Sequence, residues 1–119
     1  MIYLKDTLGN NIKFQTTVFP DGSSQVWKLE HSQKDLNPIN GLAYVFIEWI
    51  WEGKEAELFH LIQLVDVIRT FNPKVYINLK IPFLPYARQD KNITNNSTFA
   101  LKTFINTINS LDLDEISSY

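Results

Sequence analysis

A short polar segment, Tyr86, Ala87, Arg88, Gln89 and Asp90, contains the side chains best suited to bind a phosphorylated ligand. The guanidinium of arginine is a planar, permanently charged group whose paired N–H donors match phosphate oxygens. The neighbouring amide and carboxylate could bond the edge of a purine or a ribose. The alternative is that Arg88 and Asp90 pair with each other or with solvent in an ordinary turn, and their spacing alone leaves both interpretations open.

A second candidate is the segment Phe19, Pro20, Asp21, Gly22 and Ser23. Proline fixes its own φ and glycine permits a positive φ, so the segment predicts a tight turn. An exposed Phe19 could stack on a base while Asp21 accepts a hydrogen bond from the amino group of that base. The alternative is a plain hairpin turn with Phe19 folded inward.

The composition limits the available chemistry to carboxylates, amides, Arg, Lys and backbone groups. The chain has no cysteine, which excludes disulfides, thiolate metal sites and cysteine nucleophiles. The two histidines, His31 and His60, are too far apart in sequence to favour a histidine metal cluster. We interpret His60 as a surface or packed side chain. All four glycines are isolated, so neither a dinucleotide-binding nor a Walker-type phosphate loop is present.

The first third of the chain has the period of extended structure. Alternation over residues 12–18 and an extended pattern over 26–30 predict a β-hairpin whose tip is residues 19–23. A continuous apolar run over 42–47 is typical of a central strand buried on both faces of a parallel sheet.

The remainder alternates between helical and extended patterns. Residues 54–71 have helical apolar spacing, and residues 75–81 alternate as a strand, which predicts a parallel strand, helix, strand unit. A second helix is expected over 97–111 and a further strand over 115–119. This order predicts an α/β sandwich. Because ligands bind at the carboxyl ends of strands in such sheets, we expect the segment around Arg88 at that edge.

The length and charge of the chain indicate one globular domain, residues 1–119. It has 45% hydrophobic and 20% charged residues and a net charge of −2, which gives no electrostatic attraction to nucleic acid. The longest apolar run, residues 41–51, is shorter than the roughly 20 residues of a transmembrane helix, and the start lacks the pattern of a signal peptide. We expect a cytoplasmic protein without a membrane or nucleic-acid partner.

Taken together, the two polar segments resemble the amino-terminal domain of ribose-phosphate pyrophosphokinase, also called phosphoribosyl pyrophosphate synthetase. In that family an Ile-Pro-Tyr segment leads to Tyr-Ala-Arg-Gln-Asp after a strand, as Ile81, Pro82 and Phe83 lead here to residues 86–90. The family also has an early loop reading Phe, any residue, Asp, Gly, Glu, which residues 19–23 follow except at the last position. The resemblance spans essentially the whole chain, and its specific part is the Arg88 segment.

The resemblance implies a type I phosphoribosyltransferase-like fold. This is a three-layer α/β sandwich with a mainly parallel sheet, preceded here by an amino-terminal β-hairpin. In the family the early loop reaches over from a neighbouring subunit, so the resemblance also implies a homo-oligomer.

The resemblance implies an ATP site as well. Arg88 and Gln89 would contact the nucleotide and its phosphates, Phe19 would stack on the adenine, and Asp21 would accept from the adenine amino group. The residues assigned to ATP binding are Phe19, Asp21, Gly22, Ser23, Arg88, Gln89 and Asp90.

The implied reaction transfers diphosphate from Mg·ATP to the C1 hydroxyl of ribose 5-phosphate and gives phosphoribosyl pyrophosphate and AMP, for nucleotide biosynthesis. The family's Mg²⁺ ligands, ribose-phosphate loop and catalytic loop would lie beyond residue 119, in part in a carboxyl-terminal domain. We therefore expect no catalytic or metal-binding residue in this chain, and no turnover by this chain alone.

Two other functions stay open. The first is a noncatalytic regulatory or assembly subunit of the same family, which Ser23 in place of the family's Glu favours, whereas the intact Arg88, Gln89 and Asp90 favour the enzyme. The second is a small nucleotide-binding α/β domain of unrelated function.

Overall fold

The computed structural model describes residues 1–30, 42–82 and 100–118, which form two sheets and two helices. In chain order the elements are β1 Ile2–Lys5, β2 Lys13–Val18, β3 Ser24–Glu30, β4 Tyr44–Trp49, α1 Ala56–Phe71, β5 Tyr76–Ile81, α2 Ala100–Ser110 and β6 Glu115–Ser118. Strands β1, β4, β5 and β6 form a four-stranded sheet in that order, and β2 pairs with β3 in a separate hairpin. The predicted combination of an α/β body with an early hairpin is confirmed.

The four-stranded sheet is mainly parallel. β4 pairs with β5, and β5 with β6, in parallel, whereas β1 runs antiparallel to β4 with Ile2 opposite Trp49. The antiparallel pairing places the amino end of β1 beside the carboxyl end of β4. A strand at residues 2–5 was not among the elements predicted from periodicity.

Both described helices pack on one face of this sheet. One buried cluster joins the inward side chains of the strands to those of the helices, including Ile47, Trp49, Leu79, Leu64, Ile68, Phe104 and Ile108. The rings of Trp49 and Phe104 are 5.9 Å apart, which ties α2 to β4. Burying each such side chain contributes roughly 2 kcal/mol. The described residues thus provide a sheet and one helical layer, and the other helical layer of a three-layer sandwich is not among them.

The interpretation of β4 as buried on both faces is wrong. Val45, Ile47 and Trp49 are buried, but Tyr44 and Phe46, on the opposite face, are only half-buried. The ring of Tyr44 stacks on that of Tyr76 with centroids 4.3 Å apart. Aromatic rings that pack on each other tolerate partial exposure, so an unbroken apolar run does not require two covered faces.

The helices lie where apolar spacing predicted them. α1 ends at Phe71 because Asn72 adopts an extended backbone and Pro73 follows it. α2 is described from Ala100, so the start expected at residue 97 lies outside the described residues. Neither described helix is long and apolar enough to cross a membrane.

Candidate functional site

The tip of the β2–β3 hairpin is a tight turn that closes between Phe19 and Ser23. The N–H of Phe19 donates to the carbonyl of Ser23 at 2.7 Å, and the N–H of Gly22 donates to the carbonyl of Phe19 at 2.9 Å. Gly22 has φ +90°, in the left-handed region where a side chain would be strained. The turn predicted from Pro20 and Gly22 is therefore confirmed.

Asp21 and Ser23 are bonded to each other within this turn. Oδ1 of Asp21 accepts from the hydroxyl of Ser23 at 2.6 Å and from its backbone N–H at 3.0 Å. Both hydrogen bonds hold the pKa of the Asp21 carboxyl below its ordinary value, and the bond from the hydroxyl has the larger effect. An ionised carboxylate only accepts hydrogen bonds, which suits the amino group of a base. Ser23 thus stabilises the charged form of Asp21.

The ring of Phe19 is open to solvent at the tip. It is 43% exposed, and its neighbour Val18 is 66% exposed. The alternative that Phe19 folds inward is therefore wrong. An exposed ring two residues from an ionised carboxylate forms a surface on which a base can stack.

The second candidate site is the edge of the sheet formed by the carboxyl ends of β4 and β5, where the sequence predicted that the Arg88 segment binds its ligand. β5 ends at Ile81, and Pro82 follows it at this edge. Arg88, Gln89 and Asp90 lie outside the described residues, so their placement at the edge stays a prediction.

Glu57, in the first turn of α1, holds the loop that follows β4. Its Oε2 accepts from the backbone N–H groups of Glu52 at 3.0 Å and Lys54 at 3.2 Å. Its Oε1 accepts from the terminal ammonium of Met1 at 2.6 Å and from the indole N–H of Trp49 at 3.4 Å. Burial acts to raise the pKa of Glu57, but the ammonium and the two backbone N–H groups outweigh it and hold the pKa below its ordinary value.

Sequence reasoning did not single out Glu57. A glutamate just inside the start of a helix that can reach back to preceding N–H groups is the signal that could have found it.

A groove of about 590 Å³ lies between β1, β2 and the start of α1. Lys13 and Lys54 line it together with Glu52 and Glu57, so charges of both signs meet there. His60 also lines it, and its buried Nε2 has no hydrogen-bond partner in the part of the chain that the structure describes. No residue of the hairpin tip lines this groove. Because it lacks a concentration of positive charge, it is a poor place for a triphosphate.

Metal ligands were assigned by the family resemblance to positions beyond this chain. Within residues 1–30, 42–82 and 100–118, no group of three or more His, Cys, Asp or Glu side chains could hold a metal ion.

Comparisons with known proteins identify the fold. No protein-family model matches the chain, and no curated protein matches its sequence. Among solved structures, a phosphoribosylpyrophosphate synthetase from Mycobacterium smegmatis superimposes with a TM-score of 0.69 at 19% sequence identity, over 90% of this chain. This chain has a synthetase-type fold. This chain spans 33% of the length of that synthetase.

The synthetase-type fold confirms the α/β class with a mainly parallel sheet that the sequence resemblance implied. At this level of identity the likeness concerns the fold, and a fold does not show which side chains bind a ligand. The assignment of Phe19, Asp21, Gly22 and Ser23 to ATP stays a prediction, as does that of Arg88, Gln89 and Asp90.

Proposed function

We propose that this chain forms part of the ATP site of a ribose-phosphate pyrophosphokinase. The complete enzyme would transfer diphosphate from Mg·ATP to ribose 5-phosphate and so supply phosphoribosyl pyrophosphate for nucleotide biosynthesis in the cytoplasm. The observation that carries the proposal is the synthetase-type fold over 90% of the chain, together with the residue types at 19–23 and 86–90.

The tip geometry supports a contact with adenine. Phe19 is exposed, and the bonds from Ser23 keep Asp21 in the ionised form that accepts from an amino group. An inosine or guanosine ring carries a carbonyl oxygen at that position, which would face the carboxylate as a second acceptor. For a base that presents its position 6 to Asp21, the tip therefore favours adenine over 6-oxo purines.

The proposed reaction requires the protein to position the substrates and neutralise their charge, and it requires no nucleophile from the protein. The C1 hydroxyl oxygen of ribose 5-phosphate attacks the β-phosphorus of ATP and loses its proton. The bond from that phosphorus to the α,β-bridging oxygen breaks, and AMP leaves with the electron pair. Arg88 would neutralise phosphate charge during the transfer, and a bound divalent ion would supply further neutralisation.

The proposal includes a homo-oligomer in which the hairpin tip of one subunit contacts the nucleotide held by its neighbour. The exposure of the Phe19 ring supports this, because an exposed ring at the tip is available to a nucleotide held by a second subunit. ATP and ribose 5-phosphate are the proposed ligands.

Phe19→Ala tests the tip contact. We expect ATP affinity, measured by calorimetry on the complete protein in its native assembly, to fall about fivefold, because one stacking contact is worth about 1 kcal/mol. Affinity for ribose 5-phosphate should stay unchanged.

The matched control is Val18→Ala, which trims the exposed neighbour of Phe19 on the same strand end. It should leave ATP affinity unchanged. Wild-type ATP affinity in Phe19→Ala would remove Phe19 from the site.

A further inference from the structure

The side-chain amide of Gln63, in the middle of α1, bonds the outer edge of β3. Its Oε1 accepts from the N–H of Val26 at 2.8 Å, and its Nε2 donates to the carbonyl of Ser24 at 3.0 Å. Along a strand, the polar backbone groups of residues two apart point to the same side. The primary amide of Gln63 therefore pairs with β3 as a further strand would, on the edge opposite β2.

The hairpin needs such an anchor. A two-stranded sheet is at best marginally stable by itself in water. Its link to the larger sheet is at its base, where Lys5 pairs with Asn11 and the N–H of Ile12 donates to the carbonyl of Leu4 at 2.7 Å. At the other end of the hairpin, the buried side chain of Val26 packs into the core where the amide of Gln63 bonds its backbone.

The anchor lies close to the tip along the chain. Ser24, whose carbonyl accepts from Gln63, directly follows Ser23 of the tip. Val26 is three residues from Ser23, which is about 10 Å of extended strand. A change in the tilt of β3 at the anchor is therefore passed to Phe19 and Asp21.

We infer that Gln63 is a positioning residue, which fixes the direction in which the hairpin carries Phe19 and Asp21 and so sets the affinity for the nucleotide. The inference rests on the proposed function of the tip. Gln63 itself does not touch the ligand. Its effect should therefore fall on ATP binding and spare the chemical step.

The test compares Gln63→Met with wild type in the complete protein. Methionine keeps the length and helix preference of glutamine but removes both hydrogen-bonding groups. We expect the KM for ATP to rise about tenfold while kcat at saturating ATP stays at the wild-type value. Amide hydrogen exchange at Val26 should accelerate. Gln25→Met, an exposed glutamine of the same strand, is the matched control and should change none of these values.

A second variant, Gln63→Glu, tests whether the hydrogen bonds of this side chain set the KM for ATP. Ionised glutamate keeps an acceptor for Val26 but puts negative charge against the carbonyl of Ser24. On protonation it regains a donor for that carbonyl. The KM for ATP relative to wild type should therefore be raised at pH 7 and return toward wild type as the pH falls to about 4, below the ordinary pKa of glutamate. Methionine has no titratable group, so the KM of Gln63→Met relative to wild type should stay raised at both pH values.

The outcomes separate this inference from the proposed function. Suppose that Phe19→Ala weakens ATP binding. A wild-type KM for ATP in Gln63→Met would then overturn the positioning role, even if hydrogen exchange at Val26 accelerates. If Phe19→Ala also leaves ATP binding unchanged, the proposed function of the tip fails and this inference fails with it. A raised KM in Gln63→Met with pH recovery in Gln63→Glu supports it.

Discussion

Arg88→Ala is expected to abolish ATP-dependent AMP release by the complete enzyme, with kcat reduced roughly 100-fold or more. Alanine removes the planar fork that would bond two phosphate oxygens, and with it the charge that offsets the negative charge of the transferred group. The assay measures AMP formed from ATP in the presence of ribose 5-phosphate, with thermal unfolding as the check that the fold is intact.

Two further variants sharpen the Arg88 test. Arg88→Lys keeps the charge but not the fork, so it should retain part of the activity. Lys102→Ala removes a positive charge from an exposed position on α2 and should behave as wild type. AMP release at the wild-type rate in Arg88→Ala would remove Arg88 from the mechanism.

Glu57→Gln is expected to destabilise the fold by about 3 kcal/mol at pH 7. The buried carboxylate accepts from four donors, those of Met1, Trp49, Glu52 and Lys54. The amide that replaces it carries two donors of its own, so some of these N–H groups lose their acceptor and face a second donor. Urea unfolding at pH 7 measures the change in the free energy of unfolding.

The destabilisation should depend on pH in a defined direction. The pKa of Glu57 is held below its ordinary value of 4.5, so ionisation of this carboxyl favours the folded state. That stabilisation is fully present above the ordinary pKa and is lost as the pH falls through the lower pKa of the folded state. The gap between wild type and Glu57→Gln should therefore shrink from pH 7 to pH 3. An unchanged gap would show that the charge of Glu57 is not its cause.

Glu55→Gln is the matched control for Glu57→Gln. Glu55 is the residue before the first turn of α1, and its side chain makes no capping hydrogen bond. The same chemical change there should alter the free energy of unfolding by less than about 0.5 kcal/mol.

The sequence predicted those elements whose stability depends on local pattern. Helical apolar spacing located α1, alternation located β5, and Pro20 with Gly22 located the hairpin tip, because each of these signals acts between residues close in the chain. The antiparallel strand β1 was missed, since a short apolar start has no period and its partner β4 lies more than 40 residues away.

The same limit applies to the candidate site. The resemblance pointed to Phe19 and Asp21 from residue types alone, and the structure adds that Ser23 bonds Asp21. Gln63 could not have been found, because an amide on a helix surface carries no sign that it will bond a strand edge 37 residues earlier in the chain. Side chains that act through long-range backbone contacts emerge only when the fold is known.

The most direct test of the central claim is a ³¹P NMR assay of the complete protein with ATP, Mg²⁺ and ribose 5-phosphate. The proposed function requires that AMP and phosphoribosyl pyrophosphate form in equal amounts, and only when ribose 5-phosphate is present. Formation of ADP in place of AMP, or ATP consumption that does not depend on ribose 5-phosphate, would contradict it. Binding of ATP with no turnover would contradict it as well and would favour the noncatalytic subunit.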